Sequence, residues 1–332
     1  MLKYFFQVTF LSIILIGCIE TQSSKGYQDN IGKKYTIPEN NIEVDSNTVF
    51  SVFGNPLPPR QYIGKDKKLR IENWEKAKQK YIEDPNNLNN IIWYGRWTAY
   101  LGLYYEAIKI YSTGLEKFPT SYELLRHRGH RYVTIRQFDL AIEDLQRAAF
   151  YSRPAQNKIE EDGISNRYNK SLSNVKFNIW FTLGVAHYLK GSYDKAISSF
   201  KKCQTHTDNN DLTVMLSDWF YLTYRKIGNE RAAEELLAPI EKKLKILENV
   251  DYLNRLLVYK GEFNADRVLA YAENDDNSLT PILAYGIGNA YLFDGELDKA
   301  IQVYERILLN KAWDSFEYIA AEVDLKSLQN NL

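Results

Sequence analysis

The chain has 332 residues, of which 45% are hydrophobic and 25% are charged, the usual mixture of a folded globular protein. Forty-two basic residues balance forty-two acidic ones, which argues against nucleic acid as a partner, because phosphate neutralisation requires a basic excess. Two cysteines, Cys18 and Cys203, do not form a disulfide framework. The aromatic content is high, with 25 Tyr, 15 Phe and 6 Trp, and suits helix packing or a recognition surface.

Residues 1–17 have the layout of a secretory signal peptide, in which Lys3 precedes an apolar run too short to span a bilayer. The four residues at the end of this signal, Leu15-Ile16-Gly17-Cys18, resemble a bacterial lipobox. The resemblance implies cleavage before Cys18 and acylation of that cysteine, and two or more acyl chains anchor a protein stably. We therefore expect a lipid-anchored protein of the bacterial cell envelope, held in the outer membrane. An ordinary signal peptide is the alternative.

Residues 18–60 are polar and show no periodic pattern, so they predict a flexible tether between the lipid and the folded domain. Pro56, Pro58 and Pro59 predict a stiff, extended end to this segment. With Cys18 acylated, Cys203 has no partner for a disulfide and is expected to be a buried small residue.

Residues 61–332 have a helical pattern that repeats along the chain. Gly95 and Gly129 lie 34 residues apart, and so do Ala107 and Ala141. A Gly-x4-Ala element recurs at Gly102/Ala107, Gly191/Ala196, Gly228/Ala233 and Gly295/Ala300. Glycine inside a helix costs up to about 1 kcal/mol relative to alanine, so its recurrence indicates a packing demand. We expect the helical glycines to face the alanines across each helix seam; these are Gly95, Gly129, Gly184 and Gly288 facing Ala107, Ala141, Ala196 and Ala300.

At these residues the sequence resembles the tetratricopeptide repeat family, whose unit is a 34-residue helix–turn–helix. The resemblance implies an all-α fold, an α-solenoid of stacked repeats. The copies fall near 88–121, 122–151, 177–210, 214–246 and 281–314, with a degenerate copy at 247–280 and an insertion at 152–176. The insertion is either a loose surface loop or a flap over the groove, and its carboxylates Glu160-Glu161-Asp162 are expected to be solvated. Segments 74–82 and 313–328 are expected to be capping helices.

The resemblance also implies that the first helix of each pair lines a concave groove. The side chains that would face the groove are Trp93, Arg96, Tyr100, Arg126, His127, His130, Asn178, Tyr188, Trp219, Arg225, Tyr285 and Asn289. Aromatic and arginine side chains give large contact areas and forked hydrogen bonds. Arg126 and its neighbours are candidates for binding a carboxylate or phosphate of a partner. Alternatively, some of the twelve pack against the insertion or against neighbouring helices.

Motifs for catalysis or for a cofactor are not found. The chain has no GxSxG, HExxH or P-loop sequence, so we expect neither enzymatic activity nor a cofactor. His127 and His130 are three residues apart, but a zinc site needs further ligands, so no metal is expected. We therefore expect an adaptor that binds a protein or peptide partner. The alternative is a lipoprotein that captures glycans or small ligands, because exposed aromatic rings stack on sugars.

Overall fold

The computed structural model describes residues 44–274 and 280–331, together with residues 27–28 and 34–35. In the N-terminal unit, residues 1–38, strand β1 (Tyr27–Gln28) pairs antiparallel with β2 (Lys34–Tyr35). The predicted signal peptide and the lipidation site Cys18 lie outside the described residues. Of the predicted tether, the structure describes residues 27–28, 34–35 and 44–60.

The described part of residues 39–332 contains fourteen α-helices. They are α1 (Gly64–Glu83), α2 (Leu88–Tyr100), α3 (Tyr104–Lys117), α4 (Tyr122–Thr134), α5 (Phe138–Tyr151), α6 (Val175–Leu189), α7 (Tyr193–Gln204), α8 (Asn210–Lys226), α9 (Glu230–Leu237), α10 (Val250–Tyr259), α11 (Ala265–Asn274), α12 (Pro281–Phe293), α13 (Leu297–Ile307) and α14 (Phe316–Asn331). None of these helices combines the length and the apolar character that a bilayer span requires.

Six consecutive helix–turn–helix pairs run from α2/α3 to α12/α13, and the prediction of an all-α solenoid is confirmed. Each pair coincides with one predicted copy, and the degenerate copy at 247–280 is the pair α10/α11. The first helices of successive pairs, α2, α4, α6, α8, α10 and α12, contact one another in order. We call the surface that they form together the inner face.

Most first helices begin at a polar side chain that caps the free backbone N–H groups. Asn87 accepts hydrogen bonds from the backbone N–H groups of the next turn at the start of α2, and Ser121 does so for α4. Asn174 and Asn209 cap α6 and α8 in the same way. At α12, Thr280 is the cap and is followed by a proline in the first helical position. These caps fix where each repeat enters the inner face.

The turn within each pair needs a residue with positive φ. Five turns have glycine there, namely Gly102, Gly191, Gly228, Gly261 and Gly295. The second pair has Arg136 instead, with φ of 63°. A left-handed conformation costs a non-glycine residue about 1–2 kcal/mol, so something in the structure must hold Arg136 in place.

The seam of each pair differs in one detail from the expectation. The helical glycines do not face the alanines but the bulky residue one turn later. A Cβ added to Gly95 would lie 2.3 Å from Tyr111, and one on Gly184 would lie 2.2 Å from Phe200. Gly129 and Gly288 meet Leu145 and Tyr304 in the same way. The alanines are fully buried beside this contact, so each glycine makes room for a large side chain rather than for a small one.

The last helix, α14, packs on the last pair, α12 and α13, as expected of a capping helix, and it also extends beyond that pair. It returns across the inner face and contacts α4, α6, α12 and α13. Its side chains Ile319, Ala321 and Leu325 are buried. The buried residues of α14 run from Glu317 to Glu322 and include Asp324 and Leu325, so they lie all around the helix, and α14 fills much of the inner face.

The prediction of a flexible tether is wrong for residues 49–60. Val49 and Leu57 are buried, because these two apolar side chains find the core even within a polar segment. The indole N–H of Trp313 donates to the carbonyl of Pro58 at 2.7 Å, and Lys326 donates to the carbonyl of Val52 at 2.6 Å. This stretch is therefore part of the folded domain and packs next to α14.

Candidate functional site

The twelve predicted groove residues do not line an open surface, because none of them is exposed. Six are buried, namely Arg96, His127, Tyr188, Trp219, Tyr285 and Asn289. The other six are half-buried, namely Trp93, Tyr100, Arg126, His130, Asn178 and Arg225. What covers them differs between two regions. The N-terminal half of the inner face comprises α2, α4 and the start of α6; the C-terminal half comprises the end of α6 with α8, α10 and α12.

In the C-terminal half, α14 covers the aromatic residues that were predicted to bind a partner. Tyr188 and Tyr285 share a hydrogen bond of 2.8 Å between their hydroxyl groups, and Tyr285 donates to Asp324 of α14 at 2.8 Å. Trp219 packs edge-on against Tyr188 with 5.3 Å between ring centroids. The prediction that Tyr188, Trp219 and Tyr285 face an open groove is therefore wrong, because the chain's own last helix occupies that place.

Asn289 and Arg225 likewise make contacts within the chain. The side chain of Asn289 is fully buried and donates to the carbonyl of Tyr285, one turn earlier on α12. Arg225 donates to the hydroxyl of Tyr221 at 2.9 Å, and its guanidinium lies 4.5 Å from the centroid of the Phe293 ring. The prediction for Asn289 as a surface contact is wrong, and Arg225 stays half-buried at the end of α8.

Charged residues that the sequence did not single out hold α14 in the C-terminal half. Arg255 and Asp218 are completely buried and form an ion pair with 2.6 Å between Nη2 and Oδ2. Glu317 of α14 lies 3.8 Å from Arg255 and accepts a hydrogen bond of 2.5 Å from Tyr252. Burial, opposed by Arg255, raises the pKa of Asp218 to about 7. Charges inside otherwise apolar helices were the signal for this cluster.

Arg136 forms the second link to α14. Its guanidinium makes two hydrogen bonds of 3.0 Å to the carboxylate of Glu322, and both side chains are buried. It also donates to the carbonyl of Trp313 at 2.9 Å. Burial raises the pKa of Glu322 against the attraction of Arg136. These contacts explain why an arginine stands at a turn position where the other pairs have glycine.

In the N-terminal half, the cover is the insertion, residues 152–176, which we call the flap. Glu160 of the flap lies 3.1 Å from Arg126 Nη2 and accepts a hydrogen bond of 3.0 Å from Asn178. The Glu160 side chain is only 10% exposed, so the expectation that it is solvated is wrong. Of the two interpretations of the insertion, the structure shows the flap, because the segment lies on predicted groove residues.

The flap also covers Arg96 and Tyr100. Arg96 donates to the carbonyl of Glu161 at 2.7 Å, and its guanidinium lies 4.3 Å from the centroid of the Trp93 ring. Gly163 lies against Tyr100 so closely that a Cβ there would be 2.4 Å from the ring. The structure therefore brings together five of the predicted residues, Trp93, Arg96, Tyr100, Arg126 and Asn178, and we call them the Arg126 surface.

Positive charge is concentrated at this surface. Burial, and after it the charges of Arg126, Arg96 and Arg131, lower the pKa of His127 well below its usual value. Burial and the same arginines lower the pKa of His130. Among the described residues, Arg126 forms an ion pair with Glu160, and neither Arg96 nor Arg131 has a carboxylate within ion-pairing distance. The region therefore has more permanent positive charge than negative charge.

The two histidines are held apart and are neutral. Arg126 donates to Nδ1 of His127 at 3.1 Å, so this nitrogen accepts and carries no proton. The ring of His127 stacks on Tyr111 at 5.8 Å, whereas His130 packs against Phe316 of α14 at 5.0 Å. In the described part of the chain, no group of three or more potential ligands could hold a metal ion.

Six helical pairs with a shared inner face define an α-solenoid scaffold. The tetratricopeptide repeat model matches residues 177–205 and 283–311, which are the third and sixth pairs. The third and sixth pairs therefore match the tetratricopeptide repeat, and the other pairs have the same helix–turn–helix arrangement. A search of curated proteins gives no match.

Solved structures with a similar arrangement have low sequence identity. "Crystal structure of MamA" is 18% identical, covers 61% of this chain and 100% of that chain, and has a TM-score of 0.40. MamA from Desulfovibrio magneticus RS-1 is 15% identical over 54% of this chain and 94% of that chain, with a TM-score of 0.39. YrrB, described as a TPR protein with an unusual peptide-binding site, is 14% identical over 78% of this chain and 100% of that chain, with a TM-score of 0.41.

Proposed function

We propose that this chain is a lipid-anchored adaptor that binds a protein or peptide partner through the Arg126 surface. The tetratricopeptide repeats support a role in protein interaction. The C-terminal half of the inner face is filled by α14, whereas the N-terminal half is covered by a polar loop. The binding residues in this proposal are therefore fewer than the sequence suggested and lie at one end of the solenoid.

The observation that carries this proposal is the excess of positive charge at a sheltered surface. Arg96, Arg126 and Arg131 lie close enough together that all three lower the pKa of His127, and Arg126 forms an ion pair with Glu160 of the flap. Nε of Arg126 is buried and has no hydrogen-bond partner among the described residues. A buried charged donor without a partner is costly, so a surface that keeps one is suited to receive an acceptor from outside.

The membrane anchor is the second part of the proposal and rests on the sequence around Cys18. We propose that Cys18 is acylated and holds the chain in the bacterial cell envelope, at the outer membrane. A Cys18→Ser variant should then appear in the soluble fraction and incorporate no labelled fatty acid. Continued lipid labelling of this variant would contradict the proposed site.

No catalytic step is part of the proposal, and the glycan-binding alternative receives no support from a specific observation. Tyr188, Trp219 and Tyr285 are buried and offer no ring face to a sugar. One face of Trp93 is already taken by Arg96. The geometry therefore favours an adaptor that binds a protein segment through charged contacts.

The test is affinity capture from envelope extract with the full chain and with an Arg126→Ala/His130→Ala variant. We expect the wild-type chain to retain a defined partner. The variant should retain at least tenfold less of that partner, because the guanidinium of Arg126 contributes the charged hydrogen bonds. Thermal unfolding of both proteins shows that the variant is folded.

The matched control is Arg231→Ala, which also removes an arginine but on the outer helix α9, where the side chain is 91% exposed. This control should retain as much partner as the wild-type chain. Equal recovery with the double variant and the control would remove the Arg126 surface from the proposal. Recovery of glycan without any protein would favour the alternative function.

A further inference from the structure

We infer that the flap is an internal competitor: Glu160 occupies the place of a carboxylate from an acidic peptide segment of the partner. The inference rests on the proposed function and adds the chemical class of the partner and a means of regulation. In the closed state, the chain supplies its own acidic segment to the Arg126 surface. The partner binds when its own acidic residues replace that segment.

Glu160 is bound in the way that an external ligand would be. Its carboxylate lies against Arg126 and accepts a hydrogen bond from the amide of Asn178, two groups that belong to different repeats. The backbone carbonyl of Glu161 accepts from Arg96 of a third repeat. One short acidic segment therefore contacts the first helices of three successive pairs, which is how an extended peptide would lie across the inner face.

Polar contacts, rather than hydrophobic burial, hold the flap closed. Its apolar side chains point outward: Ile159 is 53% exposed, Ile164 is 37% exposed and Tyr168 is 49% exposed. Leu172 and Val175, at the end of the flap next to α6, are buried. Because little apolar surface returns to water when the flap lifts, opening is opposed mainly by charged and polar contacts that a partner can replace.

The flap is built as a tip on a fixed base. At the base, the N–H of Glu160 donates to the carbonyl of Ser173 at 2.9 Å, and the N–H of Val175 donates to the carbonyl of Lys158 at 3.0 Å. Within the tip, the side chain of Asn166 accepts from two backbone N–H groups and keeps the turn together. Residues 161–171 can therefore move away from Arg96 and Tyr100 as a unit. Glu160 lies at the junction with the base, and its side chain leaves Arg126 by a change of rotamer while its backbone stays paired.

The charges explain why the replacing group is a carboxylate. Removing Glu160 from Arg126 leaves the positive charges of Arg96 and Arg126 close together, and they repel each other without a carboxylate beside them. A carboxylate with the geometry of Glu160 restores the contact that already fits this surface. The flap places the carboxylate of Glu160 and the backbone carbonyl of Glu161 on this surface. The partner segment is therefore expected to be a peptide with an acidic residue at the place of Glu160.

The probe for this inference is a fluorescent synthetic peptide with the sequence of residues 156–166. We would measure its binding to the full chain in detergent for the wild type, Glu160→Gln, Glu161→Gln and Glu160→Gln/Arg126→Gln. Glu161→Gln is the matched control. It removes the same charge from the next residue along the chain, whose side chain is exposed. A second peptide with Gln in place of Glu160 reports on the carboxylate itself.

We expect Glu160→Gln to bind the acidic peptide at least tenfold more tightly than the wild type, because its own flap competes less well. Glu161→Gln should bind like the wild type, and the double variant should lose the gain. The peptide with Gln should bind Glu160→Gln at least tenfold more weakly than the acidic peptide does. Amide hydrogen exchange of residues 161–171 should become faster in Glu160→Gln.

Equal peptide affinity of the wild type and Glu160→Gln would overturn the inference, as would an equal gain in Glu161→Gln, which would indicate a general charge effect. Displacement of the peptide by an equal concentration of inorganic phosphate would also overturn the assignment to a carboxylate. The proposed function is tested separately: partner capture that depends on Arg126 but does not increase in Glu160→Gln would retain the adaptor and remove the competing flap.

Discussion

The two halves of the inner face are both covered by the chain itself, but by covers of opposite character. α14 contributes buried apolar side chains such as Ile319 and Leu325 to the C-terminal half. Its carboxylate Glu322 also reaches Arg136, in the turn after α4, in a buried ion pair. In the N-terminal half, the flap contributes polar contacts and turns its apolar side chains outward. The first cover is a permanent part of the core, whereas the second can be exchanged for a partner.

The difference follows from what each cover loses when it leaves. Lifting α14 would expose apolar surface, and it would remove Glu317 from Arg255 and Glu322 from Arg136 in a region built to exclude water. Lifting the flap hydrates Arg126 and Glu160, and water compensates for most of the lost contact. Three measurements test this contrast, in order of decreasing expected effect.

The largest effect is expected for Arg255→Met in the C-terminal half. The substitution leaves Asp218 and Glu317 buried without their cation, so the free energy of unfolding should fall by about 3–5 kcal/mol. Denaturant unfolding measures the loss. Arg231→Met on the outer surface should change the free energy by less than about 0.5 kcal/mol. A loss of comparable size for both variants would show that the buried ion pair has no special role.

The corresponding change in the N-terminal half, Glu160→Gln, should cost less than about 1 kcal/mol of global stability, because the flap lifts and water reaches Arg126. A loss as large as that of Arg255→Met would mean that the flap is as permanent a cover as α14, and the contrast between the two halves would disappear.

The second effect concerns pH, and its sign differs between the halves. The pKa values of His127 and His130 are lowered in the folded state, so below about pH 6.5 the unfolded chain takes up protons that the folded chain does not. The free energy of unfolding is therefore unaffected by these histidines above pH 6.5 and decreases as the pH falls further. At pH 5 each histidine lowers the free energy of unfolding by up to about 2 kcal/mol, which is the free energy needed to deprotonate a histidine with an ordinary pKa of about 6.5. Asp218, with its raised pKa, gains protons in the folded state and opposes this loss between pH 7 and 4.

Unfolding measured at pH 7 and pH 5 for the wild type and for His127→Gln/His130→Gln tests this sign. The double variant should lose less stability on acidification than the wild type does. His187, whose pKa burial lowers to about 4, keeps part of the acid sensitivity in both proteins and serves as the internal reference. An unchanged loss in the double variant would contradict the assignment to the N-terminal half.

The smallest effect separates two roles of Arg136, its ion pair with Glu322 and its left-handed backbone. Arg136→Ala and Arg136→Gly both remove the ion pair, so both should unfold more easily than the wild type. Glycine adopts the positive φ without strain, so Arg136→Gly should be more stable than Arg136→Ala by about 1 kcal/mol. Equal stabilities of the two variants would show that the turn relaxes to another conformation.

Local and periodic features of the sequence predicted the helix pairs well. The recurrence of Gly and Ala at fixed spacing gave the repeat length, and Gly261 marked the turn of the degenerate pair. The same pattern placed the helical glycines in the seam, but not their partner: Tyr111 and Phe200 lie opposite them instead of the alanines. Spacing along a helix determines which face a residue shares, whereas the offset between two helices depends on the side chains that pack there.

For the candidate site, the sequence identified which side chains point to the inner face but not what covers them. Tyr285 is on that face, yet it donates to Asp324 of α14, and Trp219 packs against Tyr285. Arg126 is also on that face and forms an ion pair with the flap. The covering elements lie far away along the chain, and contacts of that kind leave no periodic signal. The sequence alone determined an α-solenoid with an aromatic and cationic inner face. Only the tertiary structure decided that α14 covers one half largely with buried apolar side chains and that the flap covers the other half with polar contacts, because these contacts join segments far apart in the sequence.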